Sequence, residues 1–141
     1  MKCYCASGWF SYEQEESRKI ILNTLKKAKF DVYSPKDDGL FKEGMNPEEI
    51  FQENLKQIRE CDFVIASTEG KDLGTLFESG YAFARSIPII YFWNNGFGNF
   101  NLMLSQSAHR VTTTSHQLFA LLCEIKQTGV IQKVPYTGDI E

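Results

Sequence analysis

Two carboxylates six residues apart are the side chains of this sequence best suited by type and spacing to covalent chemistry. They are Asp72 and Glu78, in the run Asp72-Leu73-Gly74-Thr75-Leu76-Phe77-Glu78-Ser79-Gly80-Tyr81-Ala82. An apolar, strand-like segment ends just before them at Ser67. A strand, a short loop and a helix would therefore deliver both to the carboxyl edge of a sheet, where open α/β folds bind ligands. On a helix spanning residues 75–84, Glu78 falls in the first turn. There the free N–H groups and the helix dipole favour an ionised carboxylate, the form a nucleophile needs. Asp72, still in the loop, is left free to meet a substrate hydroxyl or a leaving group. The same residues have a purely structural reading, because Thr75-x-x-Glu78 also fits a capping box that ties the helix start to itself. Spacing alone does not separate the two.

The elements needed to hold such a site recur along the chain. Strand-like segments at residues 2–6, 30–34, 62–67, 88–93 and, less strongly, 109–113 alternate with stretches of helical period, a pattern that predicts a parallel sheet covered on both faces. The first helix is expected to begin at Ser11, where Ser11-x-x-Gln14 can form a capping box, with Ile21, Leu25 and Ala28 on its inner face. Asn46 followed by Pro47 marks the start of a second, with Phe51, Leu55 and Ile58 on one stripe. A last helix from Ser115 carries Leu118, Leu121, Leu122 and Ile125 at core spacing. Right-handed crossovers leave the five-stranded doubly wound sheet, flavodoxin-like or Rossmann-like, as the simplest topology. All 141 residues are expected to form one domain.

Three loops leave the carboxyl edge and carry aromatic residues: Ser7-Gly8-Trp9-Phe10, Asp37-Asp38-Gly39-Leu40-Phe41-Lys42-Glu43-Gly44 and Asn94-Asn95-Gly96-Phe97-Gly98-Asn99. Their convergence near Asp72 and Glu78 predicts a pocket for a flat, partly apolar ligand. Trp9 and Phe10 fit a hydrophobic staple onto the first helix equally well.

Composition narrows the partners. The chain is 43% hydrophobic and 23% charged, as soluble globular proteins are, and its 15 Lys and Arg against 18 Asp and Glu give a formal charge of -3. With no basic face evident, a nucleic-acid polymer is not an expected partner. No apolar run approaches the ~20 residues of a membrane span, and the N-terminus shows no signal-peptide pattern. Neither a membrane partner nor a compartment other than the cytoplasm is expected. Cys3, Cys5, Cys61 and Cys123, with His109 and His116, lack zinc-ligand spacing, so no metal is expected. The single glycine of the first loop argues against a dinucleotide fingerprint, no G-x-S-x-G elbow is present, and no cofactor is expected. The strand ending in Ser67 rather than aspartate disfavours a phosphorelay receiver.

Taken in order, the motifs resemble those of the nucleoside 2-deoxyribosyltransferase family, whose members exchange the base of 2′-deoxynucleosides. The likeness rests on Tyr4 and Ser7-Gly8-Trp9-Phe10, Ser34-Pro35-Lys36-Asp37, Asp72-x-Gly74-x-x-x-Glu78-x-Gly80-Tyr81-Ala82, Asn101-Leu102-Met103 and Tyr136-x-Gly138-x-Ile140-Glu141, nearly the whole chain. The resemblance implies that Glu78 is a nucleophile forming a glycosyl ester, with Tyr4 holding it by a hydrogen bond. It further implies that Asp72 binds the sugar and assists the leaving base, and that Gly8 and Phe10 belong to the binding loop, with Phe10 lining the base pocket. Asn101 and Met103 would enter the active site of a neighbouring subunit, so a homo-oligomer is implied, acting on a small-molecule 2′-deoxynucleoside and a free nucleobase. One departure stands out: Asn54 occupies a position where the family commonly has an aspartate near the base. Asparagine cannot shuttle a proton but can still bond a base edge; it can equally be a polar residue on the outer side of an ordinary helix. An N-glycoside hydrolase acting on 2′-deoxynucleosides or 2′-deoxynucleotides, and a catalytically silent nucleotide-binding module, are the competing functions.

Overall fold

The computed structural model describes residues 1–39 and 44–141. The tip of the second loop, with Phe41, lies outside the described residues. Five parallel strands, β1 (Lys2–Ala6), β2 (Asp31–Tyr33), β3 (Phe63–Ser67), β4 (Ile89–Phe92) and β5 (Arg110–Thr112), pair in the order β2-β1-β3-β4-β5. Each expected strand is present. The last four are trimmed at one or both ends to the stretch in which they find a ladder partner, as in β2, whose three residues pair with Lys2, Cys3 and Tyr4 of β1.

Alternation along the strands divides the core in two. Cys3 and Cys5, Phe63 and Ile65, and Ile90 and Phe92 point to one face, where Ile21 and Leu25 of α1 (Tyr12–Lys27) and Leu118, Leu122 and Ile125 of α5 (Ser115–Thr128) cover them. Tyr4 and Ala6, Val64 and Ala66, and Ile89 and Tyr91 point to the other, beneath Ile58 of α2 (Pro47–Glu60), Ala82 of α3 (Leu73–Ala84) and Leu104 of α4 (Leu102–Ser107). The expected doubly wound sheet is thus the observed one. Helix α4 has no counterpart in the sequence reading, because six residues span under two turns and show no periodicity.

The strand order fixes where a ligand can enter. From β1 the chain crosses to β2 on one side, while β3 lies on the other. Helices α1 and α3, which follow β1 and β3, therefore pack on opposite faces. Their connecting loops part and open a crevice at the carboxyl edge, the topological switch point of this sheet order. The first loop and the loop carrying Asp72 form its two lips. Among the described residues no helix is long and apolar enough to cross a membrane.

Candidate active site

Helix α3 begins earlier than the spacing predicts. Asp72 has extended backbone and is the cap: its Oδ2 accepts hydrogen bonds from the Thr75 amide, at 2.8 Å, and from the Thr75 hydroxyl, at 2.9 Å. The expected Thr75–Glu78 capping box is therefore absent, and Asp72 is tied to the helix through one oxygen rather than free in a loop. Thr75 is spent as a donor to that oxygen. The chain is turned into this position by two residues with positive φ, Gly70 at 67° and Lys71 at 49°.

Starting the helix at Leu73 puts Glu78 in its second turn, clear of the orphan amides. Its Oε1 accepts a 2.7 Å hydrogen bond from the Tyr4 hydroxyl, which rises from the middle of β1 with its ring fully buried. Burial pushes the Glu78 carboxyl up to about 7, against the lowering effect of the Tyr4 hydrogen bond and with a smaller upward push from the Asp72 charge. The expectation of a helix terminus favouring ionisation is thus reversed in sign: desolvation governs this carboxyl. The phenol of Tyr4 is raised in turn, by its own burial first and by Glu78 second, and stays a donor. A carboxyl poised near neutrality, with one oxygen held and the other without a hydrogen-bond partner among the described residues, can act as a nucleophile or exchange a proton.

The first loop approaches Asp72 from the α1 side. Gly8 is buried, and a Cβ there would stand 2.6 Å from Gln14 Oε1 and 3.1 Å from the Asp72 carboxyl carbon, so only glycine lets the two lips of the crevice approach. Phe10 is 76% exposed and leans on Trp9, the ring centroids 5.1 Å apart. Because Ser11 caps α1 by accepting from Gln14 N–H, a staple from Phe10 would have to reach Glu15, which is charged. The staple is absent and the aromatic face is open to a ligand. The Gln14 side chain also misses the expected reciprocal bond to Ser11 and accepts instead from the Phe10 amide, at 2.9 Å.

Asn54 faces inward enough that its Oδ1 is buried without a partner among the described residues, which removes the reading of an outward polar residue. Tyr33, which the sequence reading did not single out, stacks on Tyr4 with centroids 5.7 Å apart, and its hydroxyl is likewise buried and unpartnered among the described residues. Its position directly before Ser34-Pro35 was the available signal. Asn101 and Met103 stand apart from this group. Asn101 caps α4, accepting from Leu104 N–H at 3.2 Å, and Met103 is 72% exposed. Both line a cavity of about 600 Å³ between α3 and α4, together with Asp72, Phe83, Trp93 and Glu141. Neither Glu78 nor Tyr4 lines it. The third aromatic loop joins this second side, where Asn99 is on the wall while Phe97 is 94% exposed. The first loop meets Asp72, and Glu78 meets Tyr4, while the two residues after β4 share a cavity with Asp72 but not with Glu78 or Tyr4 within one chain.

A five-stranded parallel α/β sheet bearing a tyrosine-held carboxyl at its switch point defines a class of small α/β proteins with an acid-bearing crevice. The sequence model described as nucleoside 2-deoxyribosyltransferase matches residues 3–113, and the chain belongs to that family. The fold is that of a 2-deoxyribosyltransferase from the psychrotolerant bacterium Bacillus psychrosaccharolyticus, at 23% identity and a TM-score of 0.82, over 97% of this chain and 100% of that one. A conserved protein of Enterococcus faecalis V583 superposes with a TM-score of 0.72 at 20% identity, over 90% of this chain and 98% of that one. A CMP N-glycosidase of Clostridium botulinum superposes with 0.61 at 18% identity, over 90% and 99%. Comparison with curated protein sequences gives no match.

Two outcomes follow from this geometry. The Glu78 carboxyl binds its proton more tightly in the folded chain than in the unfolded one, so between pH about 4.5 and about 7 rising pH lowers stability, and above about 7 the loss is complete. Glu78→Gln is expected to melt at higher temperature than the parent at pH 8, by up to about 3 kcal/mol of stability, with the difference vanishing towards pH 4.5; thermal melts across that range measure it. Asp72→Asn keeps an oxygen for Thr75 and is expected to fold within about 0.5 kcal/mol of the parent, whereas Asp72→Ala loses about 1 kcal/mol, read by urea titration.

Proposed function

We propose that this protein transfers the 2-deoxyribosyl group of a 2′-deoxynucleoside to a second nucleobase through an ester on Glu78. The observation that carries the reading is the 2.7 Å bond from the Tyr4 hydroxyl to Glu78 at the lip of the crevice. With Oε1 held, Oε2 is the oxygen that attacks C1′. The C1′–N bond breaks as the C1′–O bond forms, the electron pair departs with the base, and the base nitrogen takes up a proton from water at the mouth of the crevice. A carboxyl raised by burial to about 7 still ionises within reach of neutral pH, which supplies the nucleophile. The incoming base then attacks C1′ from the opposite face and gives up its N–H proton to water as the ester C–O bond breaks and the Glu78 carboxylate is restored, so the configuration is retained overall, as in other double displacements at a sugar carbon.

The remaining residues have roles that suit their chemistry. Asp72 keeps Oδ1 for the sugar or the leaving base while Oδ2 caps α3. The exposed ring of Phe10 suits a base face, and the Oδ1 of Asn54, without a partner among the described residues, can accept from an exocyclic amine, though the amide cannot carry a proton. Asn101 and Met103 lie on the far side of α3 and serve a second copy of the chain. The outward face of α3 supports that assembly: Leu73, Leu76, Phe77 and Phe83 are exposed on it at helical spacing, and Met103 adds to the patch.

The competing reading is hydrolysis, in which water takes the place of the second base. It is favoured by the exposure of Phe10 in the single chain, since water reaches the ester unless a second copy covers the mouth. The CMP N-glycosidase of Clostridium botulinum, similar in fold, stands for that chemistry.

Incubation with deoxyinosine and adenine separates the readings. Deoxyadenosine is the expected product, and free deoxyribose with hypoxanthine alone would instead establish a hydrolase. A protein that gives neither product, and no ester by intact mass, is a binding module. The rate is expected to rise with pH through about 7 as Glu78 ionises. In Tyr4→Phe the hydrogen bond that favours ionisation is lost. The rising limb moves to higher pH and the rate at pH 7 falls by about tenfold, the equivalent of one hydrogen bond to a charged group.

A further inference from the structure

The first turns of α1 bury polar side chains where a doubly wound fold ordinarily buries apolar ones, and three of them, Gln14, Ser17 and Arg18, meet other segments at the carboxyl edge of the sheet. Gln14 is buried, and its Oε1 accepts from the Phe10 amide in the first loop, at 2.9 Å. Its other amide atom, Nε2, lies 2.5 Å from where a Cβ on Gly70 would stand, as Oε1 lies 2.6 Å from a Cβ on Gly8. The carboxamide is thus gripped between two glycines, one on each lip of the crevice. One turn further along, Ser17 shares a 2.8 Å hydrogen bond with Ser67 at the end of β3. Arg18, 4% exposed, holds Asp37 of the second loop at 2.6 Å.

We infer that Gln14 is a positioning residue that sets the gap between the loop bearing Phe10 and the loop bearing Asp72. The inference rests, for its kinetic consequence, on the transfer or hydrolysis reading above. An ordinary capping glutamine would serve its own helix alone. The chain contains one for comparison: Gln117 of α5 accepts from the Thr113 amide at the same distance, 2.9 Å, but is exposed and lies far from the crevice. Both make the bond that a helix start needs, and only Gln14 is also wedged against a second loop. Gly70, with φ of 67°, and Gly8 are then glycines for a common reason, since a side chain at either would push the carboxamide out.

The test compares Gln14→Met, which keeps length and removes the acceptor, with Gln117→Met, which removes the matching bond elsewhere. Amide hydrogen exchange is read first because it needs no substrate. Gln14→Met is expected to speed exchange about tenfold or more in the segments around Gly8–Phe10 and Gly70–Leu73 together, with α5 unchanged, while Gln117→Met leaves both segments at the parental rate. With a deoxynucleoside substrate, Gln14→Met is expected to raise KM and lower kcat, each by about tenfold, with the fraction of molecules that form the glycosyl ester unchanged. Parental exchange in the two segments, exchange that rises around Phe10 alone, or a kinetic loss no larger than that of Gln117→Met overturns the inference. Should the parent protein turn over no nucleoside, the function proposed above fails while the exchange comparison still decides the role of Gln14. Gln14→Ala, which cannot clash with either glycine, takes the place of the methionine variant if that one does not fold.

Discussion

The hydrogen bond between a fully buried tyrosine and a half-buried glutamate is the constraint to which the rest of this structure answers. A carboxyl withdrawn from water is costly when ionised, and the Tyr4 hydroxyl offsets only part of that cost, leaving Glu78 poised near neutrality. Tyr4 can donate to it only because it sits mid-strand on β1 and faces the sheet side on which α3 packs. The pairing of Tyr4 with Val64 on one side and Tyr33 on the other fixes that position. The central location of β1 in the sheet is therefore as much a part of the site as the acid itself.

Two kinds of residue hold the crevice open at that point. Glycines at 8 and 70 let backbone approach side chain more closely than any other residue permits, and polar groups of α1 bridge between loops that the topology sends to opposite faces. The contrast between the two sides of the sheet is marked. On the α1 and α5 side the core is sealed by Ile21, Leu25, Leu118, Leu122 and Ile125. On the other side α3 sends Thr75, Ser79 and Ala82 inward and leaves Leu73, Phe77 and Phe83 outside. A helix with small residues inside and large apolar ones outside is only half satisfied by its own chain.

Much of this was legible without coordinates. Short apolar segments mark the five strands, the last one weakly, Asn46-Pro47 marks the start of α2, and the cluster of Leu118, Leu121, Leu122 and Ile125 marks the inner face of α5. The first loop does meet Asp72, and Glu78 meets Tyr4. Tyr33 has no local signal beyond ending a strand, and Gln14 reads only as a capping partner for its own helix, because a tyrosine ending a strand and a glutamine in a first turn are ordinary locally. Their importance lies in what they touch from elsewhere in the chain.

The sequence by itself determined the sheet, its four longer helices and the presence of two acids at a loop-to-helix junction, because hydrophobic periodicity and capping preferences act over a few residues. Only the tertiary structure decided which of Asp72 and Thr75 caps α3, since both are competent and the choice follows from the positive-φ turn at Gly70 and Lys71. The same holds for the acidity of Glu78. A helix terminus would have lowered it and burial raised it, and burial is a property of everything packed around a side chain rather than of its neighbours in sequence.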